Sequence, residues 1–178
     1  MNLTKIFETQ AALDAHINAK HPVQDGENRL SKKILALMVE LAECANEWRK
    51  FKFWSTDQEP RDYCMQCHYS GTPHTCKNPL LEEYVDCLHF IVSIGLELEV
   101  NHEELFIPIF PEPNGIDLFI SVMYEVAELD LKRTETLYKY TFSRFMDLGA
   151  FLGFTTEQIE EAYYSKNEIN HERQESNY

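Results

Sequence analysis

Two pairs of acids are spaced for joint work. Glu40-Leu-Ala-Glu43 and Glu83-Tyr-Val-Asp86 each set carboxylates three residues apart, which places them on one face of a helix. Four hard oxygen donors, two from each of two helices, suit Mg²⁺, an ion that prefers carboxylate and water oxygens and often shares its shell with substrate phosphates. Two such ions fit the cluster. The competing reading is a solvated acidic surface, and the second pair argues against it. From Leu80 to Leu98 apolar residues wrap most of the helix circumference, so Glu83 and Asp86 lie inside a largely buried pattern. A buried carboxylate without a partner is costly, and Pro79 to Leu105 contains no Lys or Arg. The counter-charge must come from another helix or from a metal.

A second cluster is made of softer donors. Cys64-x-x-Cys67-His68 followed by His74-x-Cys76 can supply the four N/S ligands of a tetrahedral Zn²⁺ site: Cys64, Cys67, Cys76 and either His74 or His68. The other reading is a loop with reduced thiols. Cys44 and Cys87 fall on or near the apolar sides of their helices and read as packing residues.

The elements that must position these groups are helical throughout. Periodicity of 3.6 marks helices over Leu3–Ala19, Ser31–Phe53, Pro79–Val100, Gly115–Leu131, Arg133–Leu152 and Thr155 to about Glu172. Ser31, Asn78-Pro79 and Thr155 sign three of the starts, and Thr155 with Gln158 predicts a capping box. Pro residues cluster in the two intervening loops, Glu59–Leu80 and Ile107–Gly115. On the second helix Ile34, Met38, Leu41, Ala45 and Trp48 form an apolar stripe, with Glu40, Glu43 and Glu47 roughly opposite. The expected fold is all-α, a bundle of about six helices in one domain over residues 1–178, with residues 55–78 as an inserted Cys/His loop.

Composition narrows the function. With 178 residues and 44% apolar content the chain can bury a core. Sixteen Lys and Arg against thirty Asp and Glu give a net charge of −14, which speaks against a nucleic-acid partner. A small anionic ligand binds such a chain only with cations between them. The first ten residues show no secretory signal and no apolar run is long enough to span a membrane, so a cytoplasmic location with reduced cysteines is expected.

These residues resemble a known family, the dimeric all-α dUTPases within the MazG-like all-α nucleotide pyrophosphohydrolases. The resemblance rests on E-x-x-E and E-x-x-D at Glu40, Glu43, Glu83 and Asp86, and on Asn46-Glu47 leading to Phe51-Lys52-Phe53-Trp54. It continues with His89-Phe90 after Asp86 and with Lys166-Asn167-x-x-Asn170-His171-x-Arg173-Gln174. It implies a MazG-like homodimer that hydrolyses dUTP, with dUDP as a further substrate, to dUMP. The four acids would hold two or three Mg²⁺ ions, with Glu40 or Glu43 as base or orienter of the water. Lys166 and Arg173, assisted by Lys52, would contact phosphates. Gln10 would bond uracil, Trp54 line its plane, Phe90 pack on deoxyribose, and Asn170, Asn46 and His89 complete the nucleoside site. The family often carries Asn four residues after the Gln; here Asp14 stands there. The runner-up readings are a pyrophosphohydrolase for another nucleotide such as dCTP, and a non-enzymatic helical interaction module stiffened by zinc.

Overall fold

The computed structural model describes residues 1–62, 78–105 and 114–176. Every element among them is helical. In chain order these are α1 (Leu3–Lys20), α2 (Arg29–Trp48), α3 (Pro79–Glu97), a 3₁₀ turn at His102–Glu104, α4 (Gly115–Lys132), α5 (Glu135–Phe151) and α6 (Thr156–Glu175). The expected all-α bundle of six helices is thus present. The Cys/His ligand set (Cys64, Cys67, His68, His74 and Cys76) lies outside the described residues. The ends of that segment meet: the Leu80 amide donates to the Arg61 carbonyl at 3.1 Å, and the Arg61 amide to the Glu47 carbonyl at 3.0 Å.

The caps explain the boundaries. Asn28, Asn78, Asn114, Thr134 and Thr155 each accept a backbone N–H of the first turn, satisfying a donor the helix cannot. The capping box of Thr155 and Gln158 is formed. The second helix begins earlier than expected because Asn28, not Ser31, is its cap; the Ser31 hydroxyl instead donates to Asp130 on α4. It also stops at Trp48, five residues short of Phe53. Arg49 turns left-handed (φ 63°), and its guanidinium holds the Asp57 carbonyl at 2.8 Å and the Asp57 carboxylate at 3.0 Å. The chain therefore leaves the helix before Phe51-Lys52-Phe53-Trp54. The third helix ends at Glu97 rather than Val100, with Glu99 at φ 54°; Arg133 (φ 47°) closes α4, so α5 starts at Glu135 rather than Arg133.

α3 is the central rod, flanked by α1, α2 and α6, while α4 packs on α2 and α5. Leu80, Tyr84, Leu88, Ile91, Val92 and Ile94 are each at most 1% exposed, and side chains of this kind contribute about 1.5–3 kcal/mol apiece on burial. Tyr84 stacks on Phe145 at 4.5 Å and donates to its carbonyl at 3.1 Å, because Gly149 has no Cβ to occupy the space of the phenol. The core stripe of α2 is Leu30, Ile34, Leu37, Leu41, Cys44 and Trp48; Met38 and Ala45 only flank it. Burial of α3 is less complete than its apolar pattern suggests. Glu82, Glu83, Asp86 and Phe90 remain half-buried.

Candidate active site

α2 and α3 lie side by side, so their acids converge. Carboxylate oxygens of Glu40, Glu43 and Glu83 come within 4.8 Å of one another. Burial, then the charges of Asp86 and Glu43, pushes Glu40 up to about 7; burial, then Asp86, Glu43 and Glu40, does the same to Glu83. A set of acceptor oxygens that resists full ionisation is what a divalent cation relieves, and an all-oxygen donor set fits Mg²⁺ better than a softer metal. Asp86 has a cation already. Lys166 on α6 places its Nζ 2.6 Å from Asp86 Oδ2 and 3.1 Å from Glu82 Oε1. Burial still holds the Asp86 carboxyl above its usual range, and the hydrogen bond from Lys166 lowers it only in part. For Lys166 burial opposes the charge, but Asp86 and Glu82 outweigh it and raise the ammonium pKa.

Beside this cluster a cavity of about 600 Å³ opens between α1, α2, α3 and the end of α6. Glu40 and Asp86 line it together with Gln10, His89, Phe90 and Arg173. Its deep wall is polar and tightly connected. Gln10, 3% exposed, takes His89 Nδ1 at 2.9 Å and the Tyr163 hydroxyl at 2.8 Å on Oε1, and donates from Nε2 to Asp14 Oδ1 at 2.7 Å. Asp14 Oδ2 accepts from Ser93 Oγ at 2.6 Å and faces Lys33 Nζ at 3.2 Å. The His89 ring stacks on Tyr163 at 4.2 Å, and burial drives its pKa down to about 3, so it is neutral.

The structure brings Glu40, Glu43, Glu83, Asp86 and Lys166 into one cluster, and lines the adjoining cavity with Gln10, His89, Phe90, Asn170 and Arg173. Three expected ligands, Asn46, Lys52 and Trp54, join neither the cluster nor the cavity. Asn46 borders a separate apolar groove with Phe51 and Ile120, Lys52 Nζ donates to the Asn46 carbonyl at 3.3 Å, and Trp54 is 65% exposed. Sequence reasoning passed over Glu82, Lys33, Ser93 and Tyr163, and saw in Asp14 only a departure. The signal was present in the spacing: Asp14 follows Gln10, and Ser93 follows His89, by one helical turn.

The model of a protein family described as dUTPase matches residues 2–178. The chain belongs to the dUTPase family. A comparison with curated proteins finds no match. Family membership makes this all-α protein a dUTP diphosphatase. No described helix of this dUTPase is long and apolar enough to cross a membrane.

Proposed function

We propose that this dUTPase converts dUTP to dUMP and pyrophosphate, and accepts dUDP, with Mg²⁺ held by Glu40, Glu43, Glu83 and Asp86. The observation that carries the reading is the convergence of three carboxylates within 4.8 Å beside a nucleotide-sized cavity with an amide and a neutral imidazole in its wall. Bound Mg²⁺ supplies neutralisation of phosphate charge and a water of lowered pKa. The protein's own groups do the rest. Glu40 or Glu43 takes the proton of the attacking water, whose oxygen bonds to the α-phosphorus as the bridging oxygen leaves with pyrophosphate. Arg173 binds a phosphate oxygen from α6, and Lys166 exchanges carboxylate partners for phosphate. Phe90 supports the sugar, and Gln10 with His89 meets the base.

A second copy completes the molecule. Leu35 and Val39 on α2, Ile116, Ile120 and Tyr124 on α4, and Phe53 and Trp54 after α2 are all exposed, with Phe53 at 85%. Apolar residues gathered on neighbouring helices mark a contact surface, and a homodimer covers it. Trp54 and Lys52 then serve the cavity of the partner rather than their own.

The test is pyrophosphate release from a panel of nucleotides with Mg²⁺, run beside Glu43→Gln. Selective turnover of dUTP that the variant loses supports the reading. Turnover of another nucleotide, dCTP for example, overturns the base assignment, and equal activity in the variant overturns the assignment of the acids.

A further inference from the structure

His171 lies among the residues of α6 that the resemblance reads as ligands, yet it has no part in the site described above. It meets a second histidine across two helices. His16 on α1 and His171 on α6 set their Nδ1 atoms 2.8 Å apart, and their ring centroids are 5.1 Å apart with 21° between the planes. The gap between these two distances is the sum of the two ring radii, so both nitrogens lie on the line joining the rings. The imidazoles therefore meet edge to edge, Nδ1 toward Nδ1. Glu175, one turn beyond His171, fixes the protons: its Oε1 faces His16 Nε2 at 2.9 Å and its Oε2 faces Lys20 Nζ at 3.3 Å. The Lys20 ammonium holds the Glu175 carboxyl below its usual range, with His16 adding to the effect. A carboxylate only accepts, so His16 carries a proton on Nε2. When His16 is neutral its Nδ1 is then a bare acceptor, and His171 supplies the single proton between the two rings.

A histidine that ligates a metal characteristically donates its far N–H to a carboxylate while its near nitrogen holds the ion. Glu175 and His16 already stand in that relation, and a second imidazole faces the near nitrogen. Zn²⁺ binds imidazole at about 2.0–2.1 Å, and a tetrahedral angle then spaces two ligand nitrogens by about 3.3 Å, so the rings need part by only about 0.5 Å to admit the ion. Mg²⁺, which prefers oxygen donors, has no use for such a pair. Water can reach the remaining positions, because the His16 side chain is 21% exposed. We propose that His16 and His171 form a binding site for a divalent transition ion of the Zn²⁺ class, with Glu175 orienting His16 and water completing the shell. On binding, the proton between the rings passes through solvent to His171 Nε2. The ion fastens α1 to the last turns of α6 at the rim of the cavity, which Ile17 and Asn18 line from one helix and Asn170 and Arg173 from the other. Its ligands come from α1 and α6, whereas the clustered acids come from α2 and α3, so the two metal sites differ both in donor chemistry and in place.

The test titrates Zn²⁺ into the full-length protein in excess Mg²⁺ and follows the imidazole ¹⁵N signals of each histidine. Reading residue by residue separates this pair from Zn²⁺ held by any other group of the chain. The Nδ1 signals of His16 and His171 should move together and saturate together, with both rings protonated on Nε2 in the bound state. His16→Gln and His171→Gln each leave a single imidazole. Loss of an outer partner alone costs a metal site about 10–100-fold in affinity, so loss of a ligand should weaken Zn²⁺ binding at the remaining histidine by about a hundredfold or more. The proposal is overturned if neither Nδ1 signal responds to Zn²⁺, if the ion enters through Nε2 of either ring, or if the remaining histidine binds Zn²⁺ in the variants as tightly as in the wild type.

Discussion

Removing one carboxylate from the cluster should strengthen the metal-free protein and weaken its response to Mg²⁺. In the folded chain Glu40 and Glu83 are both held near 7 against an ordinary 4.5. A carboxyl whose pKa rises on folding binds more protons in the native state, so it costs stability as pH climbs from about 4.5 to 7 and the cost is complete above that. For a fully desolvated group the gap would correspond to ~3 kcal/mol; these side chains are half-exposed, and screening by water reduces the figure to ~1 kcal/mol each. Glu83→Gln removes one such cost and relieves Glu40 of a neighbouring charge. At pH 8 in EDTA the variant should therefore melt about 3 °C above wild type, and at pH 4 the two should coincide. Mg²⁺ reverses the order. At a hundredfold excess over its dissociation constant an ion that binds only the native state adds about 2.7 kcal/mol, and the variant, with one ligand fewer, gains little of it. Thermal melting at both pH values, with EDTA and with Mg²⁺, reads all four corners. If the variant melts below wild type in EDTA at pH 8, or if Mg²⁺ raises both equally, the acids do not form an electrostatically strained cation site.

Lys166→Met should lower kcat/KM for dUTP by about a hundredfold or more, because it takes away the proposed phosphate ligand and leaves Asp86 half-buried without its 2.6 Å partner; steady-state kinetics check it. Ile120→Asp should convert a homodimer to monomer by light scattering, with loss of turnover if Trp54 serves the partner's cavity. Gly149→Ala should cost about 1–3 kcal/mol, read as a lowered melting temperature, since the added methyl would overlap the Tyr84 hydroxyl.

The helices were legible because their apolar spacing and their Asn and Thr caps agree, and so were the acids, because three-residue spacing within a helix puts them on one face. The exit from α2 was not. Nothing in Arg49 announces a left-handed turn; the residue adopts it because its guanidinium finds Asp57, a contact made only once the following loop has folded back. Trp54, which the resemblance assigns to the base, is carried away from its own cavity by the same turn and stands 65% exposed in the single chain.

The site itself shows a division that sequence patterns blur. The acids act through charge, and their spacing betrays them, because four oxygens on two helices have few other uses. The wall of the adjoining cavity is instead a hydrogen-bond network, in which direction belongs to the set of groups rather than to one residue. Gln10 and His89 are each ambiguous alone. They are tied to Asp14 through Gln10 Nε2, and Asp14 is paired with Lys33, brought in from another helix and held on its far side by Glu97 at 2.9 Å. A substitution among Glu40, Glu43 and Glu83 should therefore lower turnover of every nucleotide alike, which kcat measured across a nucleotide panel checks.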